Sequence, residues 1–213
     1  MMQKIKNVFG SLAIFLFILT AAIAITINFT PLYSFDITYL DIEGLTGLSK
    51  EVIMENYQIL MRYLNVPWVG ELNMPDFPSS ASGLFHFYEV KRLFMFNYGV
   101  MIITGIISFF FLRNRKRSGE LWQILNITRL MVFIPIFILF FIALNFNQLF
   151  VTFHQIFFNN DAWIFDWRTD PIILALPQEF FMHCFILVFV LLEAGLWALY
   201  FWTKRQLSNK KRG

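Results

Sequence analysis

Four stretches of this chain are each about 20 residues long and almost entirely apolar, and they limit the fold more than any other feature. They run from about Val8 to Phe29, Phe94 to Leu112, Leu130 to Phe150, and Phe180 to Trp202, with Glu193 the only formally charged residue among them. A helix needs roughly 17 to 25 such residues to cross a hydrocarbon core of about 30 Å. Lipid offers no hydrogen bonds, so each stretch must satisfy its own backbone as a helix. Composition agrees: 58% hydrophobic residues, 15% charged and 28 phenylalanines in 213 residues are too apolar for an ordinary soluble domain. The expected fold class is therefore an all-α membrane protein with four transmembrane helices, forming a single integral membrane domain over residues 1–213. Lys4, Lys6 and the "AIA" at 22–24 give the first stretch some likeness to a signal peptide. Its apolar run of about 22 residues exceeds the roughly 7 to 15 of a signal core, so a retained anchor is expected.

Charge sets the orientation. Lys4 and Lys6 precede the first crossing, "RNRKR" at 113–117 joins the second to the third, and "TKRQLSNKKRG" follows the fourth. The positive-inside rule puts all three in the cytoplasm, and with them both termini. Segments 30–93 and 151–179 are richer in acidic residues and are expected outside, where they form a small, mainly helical extracellular cap. Trp163 and Trp167 on one side, with Trp122 and Trp202 on the other, fall where interfacial aromatics gather. The net charge of +3 is accounted for by topology, because no lysine and arginine cluster marks a nucleic-acid surface.

Within the cap, Ser49 is the expected N-cap of a helix through about Leu64, whose Ile53, Tyr57, Leu60, Met61 and Leu64 recur at spacings of three and four. Residues 65–83 have loop composition, and Ser79 to Ser82 are positioned to cap a helix that continues through His86 into the second crossing.

The three histidines then become informative. The second and third crossings are joined by a short loop, so their outer ends are expected to be neighbours. His86 lies about two turns before the second crossing, His154 about one turn after the third, and His183 one turn into the fourth. All three come to about the same level. An interfacial histidine can simply offer an apolar body and a polar tip. His86 has Glu89 at helical spacing, however, and His154 has Asp161 and Asp166 nearby, residues able to orient an imidazole. His183 has no acidic residue close in sequence except Glu179 and is expected to be structural. Glu193 inside the fourth crossing is costly unless paired or protonated, with Arg129 or an inward hydrogen bond as the expected solution. Lys91 and Arg92 are expected either to anchor the helix or to contact a headgroup or substrate carbonyl.

Several chemistries are excluded. The sequence holds no G-x-S-x-G elbow, P-loop, dinucleotide glycine pattern or H-E-x-x-H helix. The single cysteine, Cys184, sits in an apolar segment, where its thiolate is scarce, and allows neither an internal disulfide nor a cysteine zinc framework. Acid and base work by histidine at a lipid interface remains. A metal-dependent membrane hydrolase using His86, His154 and His183 with Glu89 stands as an alternative, since three ligands plus water make a catalytic zinc site. A noncatalytic lipid- or lipoprotein-binding subunit stands as another.

The runs "HFYEVKRLF" at 86–94, "LFVTFHQIFFNNDAWIFDWRTDPIILALPQEFF" at 149–181 and "NFTPLYSFDITYL" at 28–40 resemble the bacterial lipoprotein intramolecular transacylases. The likeness covers nearly the whole chain in order. It is carried best by H-x-x-[DE]-V-K, starting at His86, together with W-x-F-D-x-x-T-D-P, starting at Trp163; the acidic position is Glu89 where relatives often have Asp. The resemblance implies transfer of an acyl chain from the glycerol sn-2 ester of a diacylated lipoprotein's lipid-modified cysteine to that cysteine's own α-amino group. It also implies a bacterial cell-membrane location with the site facing outward, phospholipid surroundings, no cofactor or metal and no nucleic-acid partner. His86 and His154 match the family's functional histidines. Glu89, Asp161 and Asp166 are then the expected supports of the imidazoles. Lys91, Arg92 and Trp163 are the expected contacts for substrate or headgroup.

Overall fold

The computed structural model describes residues 2–210, so Lys211 and Arg212 of the basic C-terminal run lie outside the described residues. The regular structure of the described chain is all helix: α1 (Met2–Asn28), α2 (Thr30–Tyr39), α3 (Ile42–Thr46), α4 (Lys50–Asn65), α5 (Ala81–Ser118), α6 (Leu121–Met131), α7 (Phe133–Leu144), α8 (Phe146–Phe157), α9 (Ile172–Ala175) and α10 (Gln178–Lys210). No strand occurs among the described residues. Four stretches are long and apolar enough to cross a membrane: Lys6–Asn28, Ala81–Ser118, Leu121–Phe141 and Gln178–Asn209. The protein is an all-α, multi-pass membrane protein.

The third stretch differs from its expected course of about 130–150. It begins earlier, as α6, breaks at Val132, continues as α7 and ends at Leu144. Pro135 explains the break, because it lacks the N–H that would bond to the carbonyl of Met131, and its ring clashes there. Asn145 explains the end. Its side chain accepts a hydrogen bond from the Gln148 N–H (3.3 Å) and so opens a new helix, α8. His154 therefore sits on a separate amphipathic helix and not on the tail of the third crossing.

The chain divides into two compact units. The first comprises Met1–Thr26, Asn97–Leu144 and Ile186–Gly213. Its interior includes Ala22, Val132, Leu192 and Leu196. Gly195 lets two backbones approach, since a Cβ there would lie 2.5 Å from the Ile18 side chain. Close packing at small residues drives helix association where the surrounding lipid is as apolar as the side chains. Arg115 of the "RNRKR" run is buried, paired with Glu120 and donating to Asn7, which in turn donates to Gln123. Glu193 departs from expectation. Its carboxylate oxygens are buried with no hydrogen-bond partner among the described residues, and Arg129 instead lies over the Tyr200 ring.

The second unit comprises Ile27–Phe96 and Asn145–Phe185. The apolar stripe of α4 buries Ile53, Tyr57, Leu60 and Leu64 against Tyr33, Ile37, Phe87, Ile172 and Phe180. Ser49 occupies the N-cap position, although its side chain makes no capping hydrogen bond. The loop between α4 and α5 lacks regular structure and is held by side chains. Asn56 donates to Asp76 Oδ2 (2.7 Å) and accepts from the Asp76 N–H (3.2 Å). Lys91 reaches inward from α5 to the Val69 carbonyl, with its ammonium 4.5 Å above the Tyr63 ring. The expectation that Lys91 meets substrate or headgroup thus gives way to an internal tie, because both its donor and its π contact are supplied from within the unit.

Candidate active site

The second unit builds one cluster of titratable groups from α5, α8 and the loop that follows α8. The position of His86 is set by how α5 starts. Ser80 is the cap: its hydroxyl accepts from the Gly83 N–H (3.0 Å), while its own N–H donates to Asp170 Oδ1 (2.8 Å). Asp170 is 2% exposed and also accepts from the Thr169 hydroxyl (2.8 Å). A carboxylate at the first turn complements the positive end of the helix dipole. Gly83 is required for this approach, since a Cβ there would fall 2.1 Å from Asp170 Oδ1. The "TDP" of the loop between α8 and α9 thereby fixes the helix start from which His86 projects, six residues beyond the cap.

His154 projects from α8 and is held by its own helix, Nδ1 lying 2.7 Å from the Phe150 carbonyl oxygen. A carbonyl can only accept, so Nδ1 carries the hydrogen and Nε2 of the neutral ring carries the lone pair. The two imidazoles meet with ring centroids 5.8 Å apart. Both are nearly enclosed, at 7% and 9% exposure. Phe158 and Phe165 present their edges to His86 at 4.8 and 5.5 Å, and Trp163 stacks on His154 at 4.6 Å. Burial holds the His154 imidazole below its ordinary range, opposed by the hydrogen bond to Phe150. Nδ1 of His86 is buried with no hydrogen-bond partner among the described residues.

The expected carboxylate supports do not touch these rings. Glu89 accepts two hydrogen bonds from the Asn160 amide (3.0 and 3.1 Å), and Asn160 Oδ1 accepts from the Ala162 N–H (2.9 Å). Glu89 thus holds the loop that carries Phe158 and Trp163, and does not orient His86 directly. The reason is geometric: one turn of α5 separates Glu89 from His86 along the helix, and the post-α8 loop lies against that turn. Asp161 is exposed and offers its backbone carbonyl to Ile164 (3.0 Å). Asp166 forms a surface pair with Arg168 (2.7 Å), which draws its carboxyl down to about 2. Neither acid holds His154, whose Nδ1 is already taken by the helix carbonyl. Arg92 is exposed, with its guanidinium 6.0 Å from the Tyr88 ring. Trp163 forms a wall of the site.

His183 does not join the pair. Its Nδ1 lies 2.8 Å from Asp36 Oδ1, and Asp36 is fully buried. Among the described residues no three His, Cys, Asp or Glu side chains converge, so the three-histidine donor set of the hydrolase alternative is not assembled. Sequence reasoning missed Asp36, Asn160, Asp170, Phe158 and Phe165. For Asp36 a signal was present, a lone acid among the apolar residues of "LYSFDITYL".

Replacing Asn160 with alanine should release the loop from Glu89 and lower the rate of the reaction by about tenfold through misplacement. Glu89→Gln keeps an acceptor oxygen and should cost less; equal rates for Asn160→Ala and the parent protein would count against the loop's role.

A sequence profile of the lipoprotein intramolecular transacylase Lit family matches residues 8–181. Comparison with curated protein sequences gives no match. Among solved structures, the membrane-integral lipoprotein intramolecular transacylase Lit from Bacillus cereus superposes with a TM-score of 0.94 at 31% identity, covering 100% of this chain and 99% of that one. Two variants of the same Bacillus cereus protein, one histidine replaced by arginine in the first and by alanine in the second, each give a TM-score of 0.88 at 30% identity. They cover 99% and 100% of this chain, and 94% and 96% of their own.

Proposed function

Taking as premise that the chain belongs to the lipoprotein intramolecular transacylase family and is such an enzyme, we propose that His86 and His154 carry out the acyl transfer directly, without an acyl-enzyme. The substrate is a diacylated bacterial lipoprotein. The bond that breaks joins the acyl carbonyl to the sn-2 glycerol oxygen, the bond that forms joins it to the α-amino nitrogen, and the product is the lyso form. One proton moves from nitrogen to glycerol oxygen. Because donor and acceptor belong to one molecule, holding them in contact supplies much of the rate, and no serine or cysteine nucleophile is required.

The observation that carries this reading is the enclosed pair of imidazoles 5.8 Å apart, one with its tautomer fixed. With Nδ1–H committed to Phe150, Nε2 of His154 is free to take the amine proton and return it to the leaving oxygen. His86 then serves as the N–H donor to the carbonyl oxygen as negative charge develops there. The hydrogen bond of His154 supports this division of roles over its reverse, with His86 as base. Two solved structures of the Bacillus cereus relative carry a histidine substitution, which accords with a histidine of interest in that protein.

The outward location of the site, the cytoplasmic termini and the cap over 30–93 and 151–179, within a single integral membrane domain, belong to the same proposal. They are supported by Lys4 and Lys6 in the first turns of α1 and by the basic run at the end of α5. Exposed Arg92, Trp167 and Arg168 are suited to phospholipid headgroups. The test is tandem mass spectrometry of a diacylglyceryl-cysteine peptide incubated with the purified protein: one acyl group moves from ester to amide, with no change in total mass.

The proposal also fixes a pH profile. Transfer needs a neutral imidazole and a neutral amine, whose pKa is near about 7.7 to 8.0. Burial lowers the His154 imidazole, so its neutral form persists to lower pH than that of a free histidine. The logarithm of the rate should therefore rise with a slope of about two at low pH and bend to about one at a point below the ordinary imidazole value of about 6.5. It should level off near the amine pKa. A bend above 6.5 would contradict a buried imidazole base.

A further inference from the structure

We propose that Asp36 and His183 are positioning residues for the transfer reaction, their hydrogen bond setting the first turns of α10, against whose opposite face the His154-bearing α8 is packed. The proposal rests on the assignment of His86 and His154 as the reacting groups. It concerns the one histidine that the reaction leaves unused.

The inner face of α2 buries Tyr33, Asp36 and Ile37. Two of these three reach the chain on either side of Pro177, where α10 begins. The Tyr33 hydroxyl donates to the Ala175 carbonyl (2.8 Å), and the Asp36 carboxylate accepts from His183 Nδ1 (2.8 Å). The chain is thereby clasped at the end of α9 and again in the second turn of α10. At 3.6 residues per turn, Phe181 and Phe185 point to the side of α10 away from His183. That side meets α8: Phe181 lies 5.5 Å from Phe150, while Phe185 lies 5.6 Å from Phe146 and 5.7 Å from Phe153. Phe150 in turn rests against the His154 ring at 4.4 Å and supplies the carbonyl that fixes its tautomer. A continuous set of packed contacts thus leads from Asp36 to His154.

The clasp is also costly to break. Asp36 is fully buried, its Oδ2 has no partner among the described residues, and the His183 bond is the hydrogen bond that satisfies its carboxylate there. A buried carboxylate deprived of its partner forces local rearrangement. The His183 side chain is only 21% exposed. His183→Asn is the informative variant, because its amide nitrogen can donate where Nδ1 does, and nothing replaces Nε2.

The experiment measures kcat and KM of acyl transfer on a diacylglyceryl-cysteine peptide for the full-length protein. Asp36→Ala and His183→Ala should each lower kcat by about 10- to 100-fold with KM little changed. The double variant should lose no more than the larger single loss, as expected of two residues that act through one bond. His183→Asn should restore most of the rate, and the low-pH bend of the two alanine variants should move up toward the free imidazole value. If Asp36→Ala fails to fold, Asp36→Asn serves as the milder break and should give a smaller loss in the same direction.

Transfer unchanged in Asp36→Ala and His183→Ala, but lost in His86→Ala and His154→Ala, would overturn the positioning role alone. An inactive His183→Asn would overturn it as well, since the ring itself would then be reacting. Full transfer in His86→Ala and His154→Ala would instead remove the assignment on which the proposal rests.

Discussion

His154→Ala should reduce acyl transfer by about 10²- to 10⁴-fold, the usual loss when a positioned general base is removed. His86→Ala should reduce it by about 10²- to 10³-fold, the loss associated with one oxyanion donor. Both rings sit in an enclosed aromatic setting, so a loss of rate must be separated from a loss of packing. His154→Asn makes the separation: its amide can still donate toward the Phe150 carbonyl, but it has no counterpart of Nε2. The variant is expected to melt near the parent temperature and to transfer no faster than His154→Ala. A His154→Asn protein with parental activity would remove His154 from the chemistry. Ester-to-amide conversion, followed by mass spectrometry of the peptide, reads both quantities on one substrate.

Asp170→Ala should act on stability as well as rate. It removes the acceptor for the Ser80 N–H and the Thr169 hydroxyl in a place where water does not replace it. Leaving such groups unsatisfied costs about 1–3 kcal/mol, with about 0.3–1 kcal/mol more for the lost interaction with the helix N-terminus. The start of α5 would loosen six residues before His86, so the rate should fall with the melting temperature. Asp170→Asn retains one acceptor oxygen and should fall between the two. An Asp170→Ala protein with parental melting temperature and rate would show that the start of α5 is set elsewhere.

Much of this architecture was legible in the chain because membrane burial writes itself in long apolar runs. The four spans, the stripe of α4 and the start of α5 near Ser80 all follow from length, periodicity and capping residues. The meeting of His86 and His154 followed from helix adjacency, although the route differed: Pro135 and Asn145 detach α8 from the third crossing, a break that hydropathy alone does not register. The partners of the polar groups were not legible. Glu89, Asp161 and Asp166 were paired with histidines by nearness in sequence, whereas Glu89 serves Asn160, Asp166 serves Arg168, and the acid that meets a histidine is Asp36, 147 positions from His183. A loop without periodicity carries no signal for which of its side chains turn inward. That is why Phe158, Phe165 and Asp170 emerge only from the fold.

In the reaction proposed for the imidazole pair, the amine attacks the ester directly. A crossover measurement tests it most directly. Two diacylglyceryl-cysteine peptides of different sequence, one with a deuterated sn-2 chain, are mixed with the purified protein, and the N-acylated products are sorted by mass. Direct transfer predicts that every deuterated amide stays on the peptide that carried the deuterated ester, with no acyl group found on the protein. Deuterated chains on the other peptide, or an acylated protein residue formed at the rate of turnover, would contradict it.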